Sequence, residues 1–147
     1  MTRHLCRVAL FLALLGALGG CETATAIPAG AQQVEVDATG PAVILRPATV
    51  RAGDVYLVVD LPQNAPQGAA SLWMVEGAGG PLTDADVARF TKSGDEQGLT
   101  IVGIDNSCCG KVHRQTLAAG KYVFVMEAES LPPGTPPSAV TVLQVTP

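Results

Sequence analysis

The sequence predicts an all-β fold, an antiparallel sandwich with one short helix. Three observations carry that prediction. Short apolar runs rich in Val, Ile, Leu and Tyr recur between residues 33 and 147. Sixteen glycines and eleven prolines fall largely between those runs and cut them to strand length. Only one stretch has the capping and spacing of a helix. About eight or nine strands in roughly 115 residues is the density of two stacked sheets.

Each element has its own signal. Val34-Glu35-Val36-Asp37 alternates apolar and polar, the period of a strand with one buried face. Val43-Ile44-Leu45 follows the turn residues Gly40-Pro41. Thr49-Val50-Arg51 leads into a predicted turn at Ala52-Gly53-Asp54. Residues 55–59 are apolar and β-rich throughout, so they are expected to form a central strand buried on both faces. Residues 61–68 hold two prolines and a glycine and are a predicted loop, and residues 71–75 the next strand. The helix is predicted over 83–90. The Thr83 hydroxyl caps its first turn, Asp84 and Asp86 suit its positive end, and Val87 and Phe90 share a docking face. A polar loop is expected at 92–98, then strands at 99–104 and 112–117 and a turn at Ala118-Ala119-Gly120. Residues 122–126 are a second strand of buried type. Residues 131–138 carry four prolines and cannot pair as a central strand, and alternating residues 139–145 close the sheet. There is no internal repeat and no second domain.

The first twenty residues have the parts of an export signal. Arg3 and Arg7 precede an unbroken apolar run over 8–18, and small residues follow. That run is shorter than the about 20 residues a membrane-spanning helix needs. Leu18-Gly19-Gly20-Cys21 resembles the lipobox of bacterial lipoproteins. The resemblance implies export, cleavage before Cys21 and lipid on its thiol, each buried methylene contributing about 0.8 kcal/mol to anchoring. The alternative cut uses Ala24-Thr25-Ala26 and leaves Ile27 first. Glu22 follows the cysteine where Asp would signal inner-membrane retention, so the outer membrane is expected if the organism is Gram-negative. Residues 21–32 then form the lipidated cysteine and a flexible tether, and residues 33–147 the sandwich domain.

Beyond residue 20, seven Lys and Arg stand against thirteen Asp and Glu, a net charge of about −6, with no basic run. Nucleic acid and anionic surfaces are thereby poor partners. The expected partners are the membrane, through the lipid, and an envelope protein or ligand.

Arg46-Pro47-Ala48-Thr49-Val50-Arg51-Ala52-Gly53-Asp54-Val55-Tyr56-Leu57-Val58-Val59 resembles the N-terminal half of plastocyanin-like cupredoxins. Leu117-Ala118-Ala119-Gly120-Lys121-Tyr122-Val123-Phe124-Val125 is similar to their late Leu-x-x-Gly-x-Tyr turn and strand, and Val140-Thr141-Val142-Leu143 to their closing strand. The resemblance implies a cupredoxin-like Greek key, although turn-plus-strand patterns of this kind also recur in immunoglobulin-like domains. It does not extend to the metal ligands. Blue-copper sites use two His and one Cys, usually with a weak Met. The stretch 69–73 has no His, Met126-Glu127 stands where the Cys is usual, and residues 128–137 contain no His. His113 is the one His beyond the export signal, so copper is not expected, and no cofactor other than the lipid on Cys21.

Asn106-Ser107-Cys108-Cys109-Gly110-Lys111-Val112-His113 is the remaining unusual cluster. Two thiolates and an imidazole have the donor chemistry for Cu(I) or Zn(II), and nearby Lys111, His113 and Arg114 favour a reactive thiolate. Against that, adjacent side chains on a strand point to opposite faces, so the pair chelates only if the chain turns at Gly110. A vicinal disulfide in an oxidising compartment and unpaired thiols are the other readings. Trp73 is expected in the core, Asp84 and Asp86 as helix-start charges, and His113 as an exposed strand residue. No nucleophile elbow, catalytic triad or phosphate loop is present, so the domain is expected to be non-catalytic.

Overall fold

The computed structural model describes residues 26–61, 70–104, 111–128, 137 and 139–147. The segment expected to be an export signal and Cys21 lie outside them, as do Cys108 and Cys109. Among the described residues, nine strands and one helix are formed. In order they are β1 (Gln32–Asp37), β2 (Ile44–Arg46), β3 (Thr49–Arg51), β4 (Gly53–Asp60), β5 (Ala70–Gly77), α1 (Asp84–Ser93), β6 (Leu99–Ile104), β7 (Lys111–Leu117), β8 (Gly120–Ala128) and β9 (Ala139–Thr146). They build a four-stranded sheet, β2-β1-β4-β7, stacked on a five-stranded sheet, β3-β9-β8-β5-β6.

The sandwich and its helix match the sequence prediction. The pairing is mixed, however, where antiparallel ladders were expected throughout. β1 runs parallel to β4, and β3 parallel to β9. Both exceptions follow from the chain changing sheets between β2 and β3, which brings strands distant in sequence side by side.

Alternation along the strands sets the core. Val34 and Val36 of β1, Val55 and Leu57 of β4, Phe124 of β8 and Leu143 of β9 are fully buried between the sheets. Each such side chain contributes roughly 1.5–3 kcal/mol by leaving water. The five-stranded sheet is also apolar on its outer face. There Val75, Val123 and Val125 meet Leu82 and Phe90, forming a second cluster beneath α1. Tyr122, Val123, Phe124 and Val125 are therefore all at most 2% exposed, as expected for a strand covered on both faces. In β4 the inward residues are at most 3% exposed and outward Tyr56 is 7% exposed, but Val58 is only half-buried, because among the described residues no helix covers that sheet.

α1 begins where its cap predicts. The Thr83 hydroxyl accepts from the Asp86 N–H at 3.2 Å, and the Asp86 carboxylate accepts from the Thr83 N–H at 3.1 Å. The helix runs on through Lys92 and Ser93, which the sequence suggested as loop. Gly94 ends it with φ 63°, its N–H donating to the Phe90 carbonyl at 2.7 Å.

Gly120 opens β8 at a tight crossing, where the Leu82 N–H donates to the Lys121 carbonyl. Two residues on, the Tyr122 hydroxyl accepts from the Ala118 N–H at 3.0 Å and donates to the Ala118 carbonyl at 3.2 Å. This is a tyrosine corner, the physical content of the Leu-x-x-Gly-x-Tyr pattern. Burial pushes the Tyr122 phenol above its ordinary pKa. Tyr122→Phe is expected to cost about 1–3 kcal/mol, because it leaves backbone groups at the turn without their partner. Urea unfolding with an unchanged m-value is the check, and a midpoint equal to wild type would count against the corner as a stabilising device.

Candidate functional site

The register gives the sandwich two unlike ends. At one, Asp37 lies beside Asp60, Leu72 beside Ile104, Val59 beside Lys111 and Met126 beside Ala139. The strand ends that flank residues 38–43, 62–69, 105–110 and 129–138 all meet there, so this is the loop end. At the other, Gln32 lies beside Val55, Gly53 beside Leu117 and Gly120 beside Val145. Residues 26–31 lead into β1 at that second end, where the tether expected over 21–32 would join, and it is labelled the tether end.

The floor of the loop end is apolar. Leu72, Ile104 and Ala139 are buried, and half-buried Leu61 and Met126 pack against the main core. Cys108 and Cys109 fall between Ile104 and Lys111 in sequence, and those two flanking residues stand at this end.

His113 is not the exposed strand residue that its polar neighbours suggested. It is half-buried and pairs across the ladder with Leu57, which is fully buried. Directly opposed residues of an antiparallel pair share a face, so His113 faces the interior side of its sheet. Arg114, one residue on, is on the opposite face. It bonds Asp54, which also accepts from the Thr116 hydroxyl at 2.7 Å. The Thr116 hydroxyl first, then Arg114, hold the Asp54 carboxyl below the ordinary range, and Asp54 in turn raises Arg114. His113 and Arg114 are thus not brought together.

The remaining singled-out residues have structural tasks. Trp73 is half-buried on the outer face of its sheet as part of the cluster beneath α1. It lies over Gly103, where an added Cβ would come within 3.0 Å of the ring. Asp86 caps α1, and its bonds from Thr83 lower its pKa; Asp84 accepts from the Lys121 ammonium. The two carboxylates do not act as a pair.

One feature was not foreseen from the sequence, an open depression of about 370 Å³ at the tether end. Gln32, Pro47, Thr49, Arg51 and Thr146 are among its walls. The Gln32 side-chain amide spans its base, donating to the Arg51 carbonyl at 3.1 Å and accepting from the Arg51 N–H at 2.7 Å. A side chain here copies a strand ladder and ties β1 of one sheet to β3 of the other. Glutamine alone gives no such signal in a sequence.

Among the described residues, no three His, Cys, Asp or Glu side chains come together as a metal site requires. Nor is any described helix long and apolar enough to cross a membrane. No family model and no curated protein matches the chain. Among solved structures it is similar to auracyanin A, a "blue" copper protein from the green thermophilic photosynthetic bacterium Chloroflexus aurantiacus. The identity is 17%, the match covers 80% of this chain and 100% of that one, and the TM-score is 0.46.

Proposed function

We propose that this chain is a lipid-anchored, non-catalytic binding protein of the bacterial cell envelope, built on a cupredoxin-like sandwich without copper. The polarity of the sandwich carries the reading. The expected tether enters at one end, and the strand ends that flank residues 38–43, 62–69, 105–110 and 129–138 stand at the other. The eight residues of β4 separate the ends by about 26 Å, at roughly 3.3 Å per residue. Lipid on Cys21 would hold the tether end near the bilayer and leave the loop end farthest from it. Connections at one end of a rigid sandwich are where such folds carry recognition.

The copper-free part rests on donors. A blue-copper site needs two His, and the chain has only His4, within the export signal, and His113. His113 stands opposite Leu57 within β7, and Met126 occupies the place of the usual Cys near the end of β8. The residues present do not fit that metal centre. The non-catalytic part is supported by Asp54, Asp84 and Asp86, which are engaged in ion pairs and a helix cap.

Two measurements test the proposal in the full chain. Cys21→Ser is expected to move the protein from the membrane fraction to the soluble one, and retention of the mutant in the membrane would refute the anchor. A photo-crosslinking residue at Thr39, on the loop end, is expected to trap an envelope partner, and one at Ala119, on the tether end, is not. Adducts from Ala119 alone would reverse the assignment of the binding end.

A further inference from the structure

We infer that the depression at the tether end seats the phosphate of a zwitterionic phospholipid headgroup, with Arg51 as its cation. The inference rests on the reading of Cys21 as the lipid anchor, which brings this end of the sandwich to the bilayer. Charge singles Arg51 out. Arg46, Arg89 and Arg114 each have a carboxylate partner within 3.6 Å. Arg51 is exposed and has no ion pair among the described residues. No described Asp or Glu lines the depression, although beyond residue 20 acidic residues outnumber basic ones thirteen to seven. An accessible cation in a wall without acid is a place for an anion.

The neighbouring side chains divide into two sets. Gln32 grips the Arg51 backbone, and the Thr146 hydroxyl donates to the Val50 carbonyl at 3.2 Å. These bonds, with the pairing of β3 to β9, hold the backbone of β3 in place. Thr49 and Arg51 lie two apart on that strand and share the face opposite buried Val50. The Thr49 hydroxyl and the Gln33 amide, both exposed in the lining, make no side-chain hydrogen bond among the described residues. A guanidinium, a hydroxyl and an amide are thus left open on a fixed frame. A phosphodiester presents two charged oxygens, which a guanidinium meets as a fork, and the hydroxyl and amide suit their remaining lone pairs.

Chain length names the source of that phosphate. Even fully extended, the chain from Cys21 to Gln32 reaches only about 38 Å. The turn in which the Ala31 N–H donates to the Pro28 carbonyl at 3.1 Å shortens the path. Lipid on Cys21 therefore keeps the depression close to the headgroups. A site held so near its ligand meets it at a high effective concentration, so a weak seat is filled. The net charge of about −6 beyond residue 20 opposes a headgroup with excess negative charge. A zwitterionic headgroup carries its own ammonium and adds none. One headgroup in this seat would set the tilt of the domain, with the tether end on the bilayer and the loop end outward.

The test follows amide chemical shifts of the Cys21→Ser chain as dihexanoyl phosphatidylethanolamine is added below its micelle concentration. Inorganic phosphate and dihexanoyl phosphatidylglycerol are separate arms. Saturable shifts at Gln33, Thr49 and Arg51 are expected with phosphatidylethanolamine. Arg51→Gln should weaken that binding by at least about tenfold and leave the rest of the spectrum unmoved. Absent shifts, or an Arg51→Gln chain that binds like wild type, overturn the site. Inorganic phosphate or phosphatidylglycerol binding as tightly overturns the choice of a zwitterionic headgroup. In the native envelope, a photo-crosslinking residue at exposed Ala48, beside Thr49, is expected to capture phospholipid in several-fold greater yield than one at Thr91 on the exposed face of α1. Equal capture at the two positions overturns the seat. The titration needs no anchor, so its failure is distinct from that of the lipid on Cys21, which the membrane fraction of Cys21→Ser reads by itself.

Discussion

Gly120→Ala is expected to lower stability by about 2–5 kcal/mol, the sum of backbone strain and overpacking. Gly120 has φ 148°, a conformation side-chain-bearing residues rarely adopt, and a Cβ there would lie 2.3 Å from the Pro81 Cβ and 2.6 Å from its Cγ. The proline ring cannot swing aside, because Leu82 next to it is bonded to Lys121. Gly53→Ala separates the two causes. Its φ is 125°, but nothing lies within 4 Å of the added Cβ, so only strain applies. Denaturant midpoints should place Gly120→Ala well below Gly53→Ala. Equal losses would mean that the Pro81 contact contributes nothing.

Phe90→Ala is expected to cost about 3–5 kcal/mol, the usual range for emptying a buried aromatic site. Phe90 is 1% exposed and is the only residue of α1 that is fully buried. It closes the cluster that includes Trp73, the sole tryptophan. The variant should therefore shift native-state tryptophan emission to the red as well as lower the unfolding midpoint. A stable variant with unmoved emission would show that α1 is held by its caps and by Val87 rather than by Phe90.

Local features of this fold are legible in the sequence because they depend on neighbours along the chain. The alternation in β1, the Thr83–Asp86 cap and the Leu117-to-Tyr122 corner each need only a few residues to be recognised. What spans the molecule is not legible in that way. Residues 55–59 and 122–126 look alike as apolar runs, yet the outer face of β8 is roofed by α1 and that of β4 is not. The orientation of His113 was equally hidden. Val112 to Thr116 is too polar to reveal which residues face inward, and only pairing with β4 settles the phase. The parallel pairs β1–β4 and β3–β9 join strands separated by a change of sheet, which no local pattern records. For the candidate site, the two histidines can be counted from the sequence, but which strand ends share an end of the sandwich emerges only from the register.

The parallel pairing of β1 with β4 has a mechanical consequence. If the domain is anchored and holds a partner as proposed, it is tugged from both ends, by the membrane through residue 31 and by the partner at the loop end. That pull runs along β1, against a ladder extending from Gln32–Val55 to Asp37–Asp60. All its rungs are strained together in shear, so none can be peeled open singly as in an unzipping hairpin. The Gln32 amide grips the Arg51 backbone where the load first arrives and passes part of it to the other sheet.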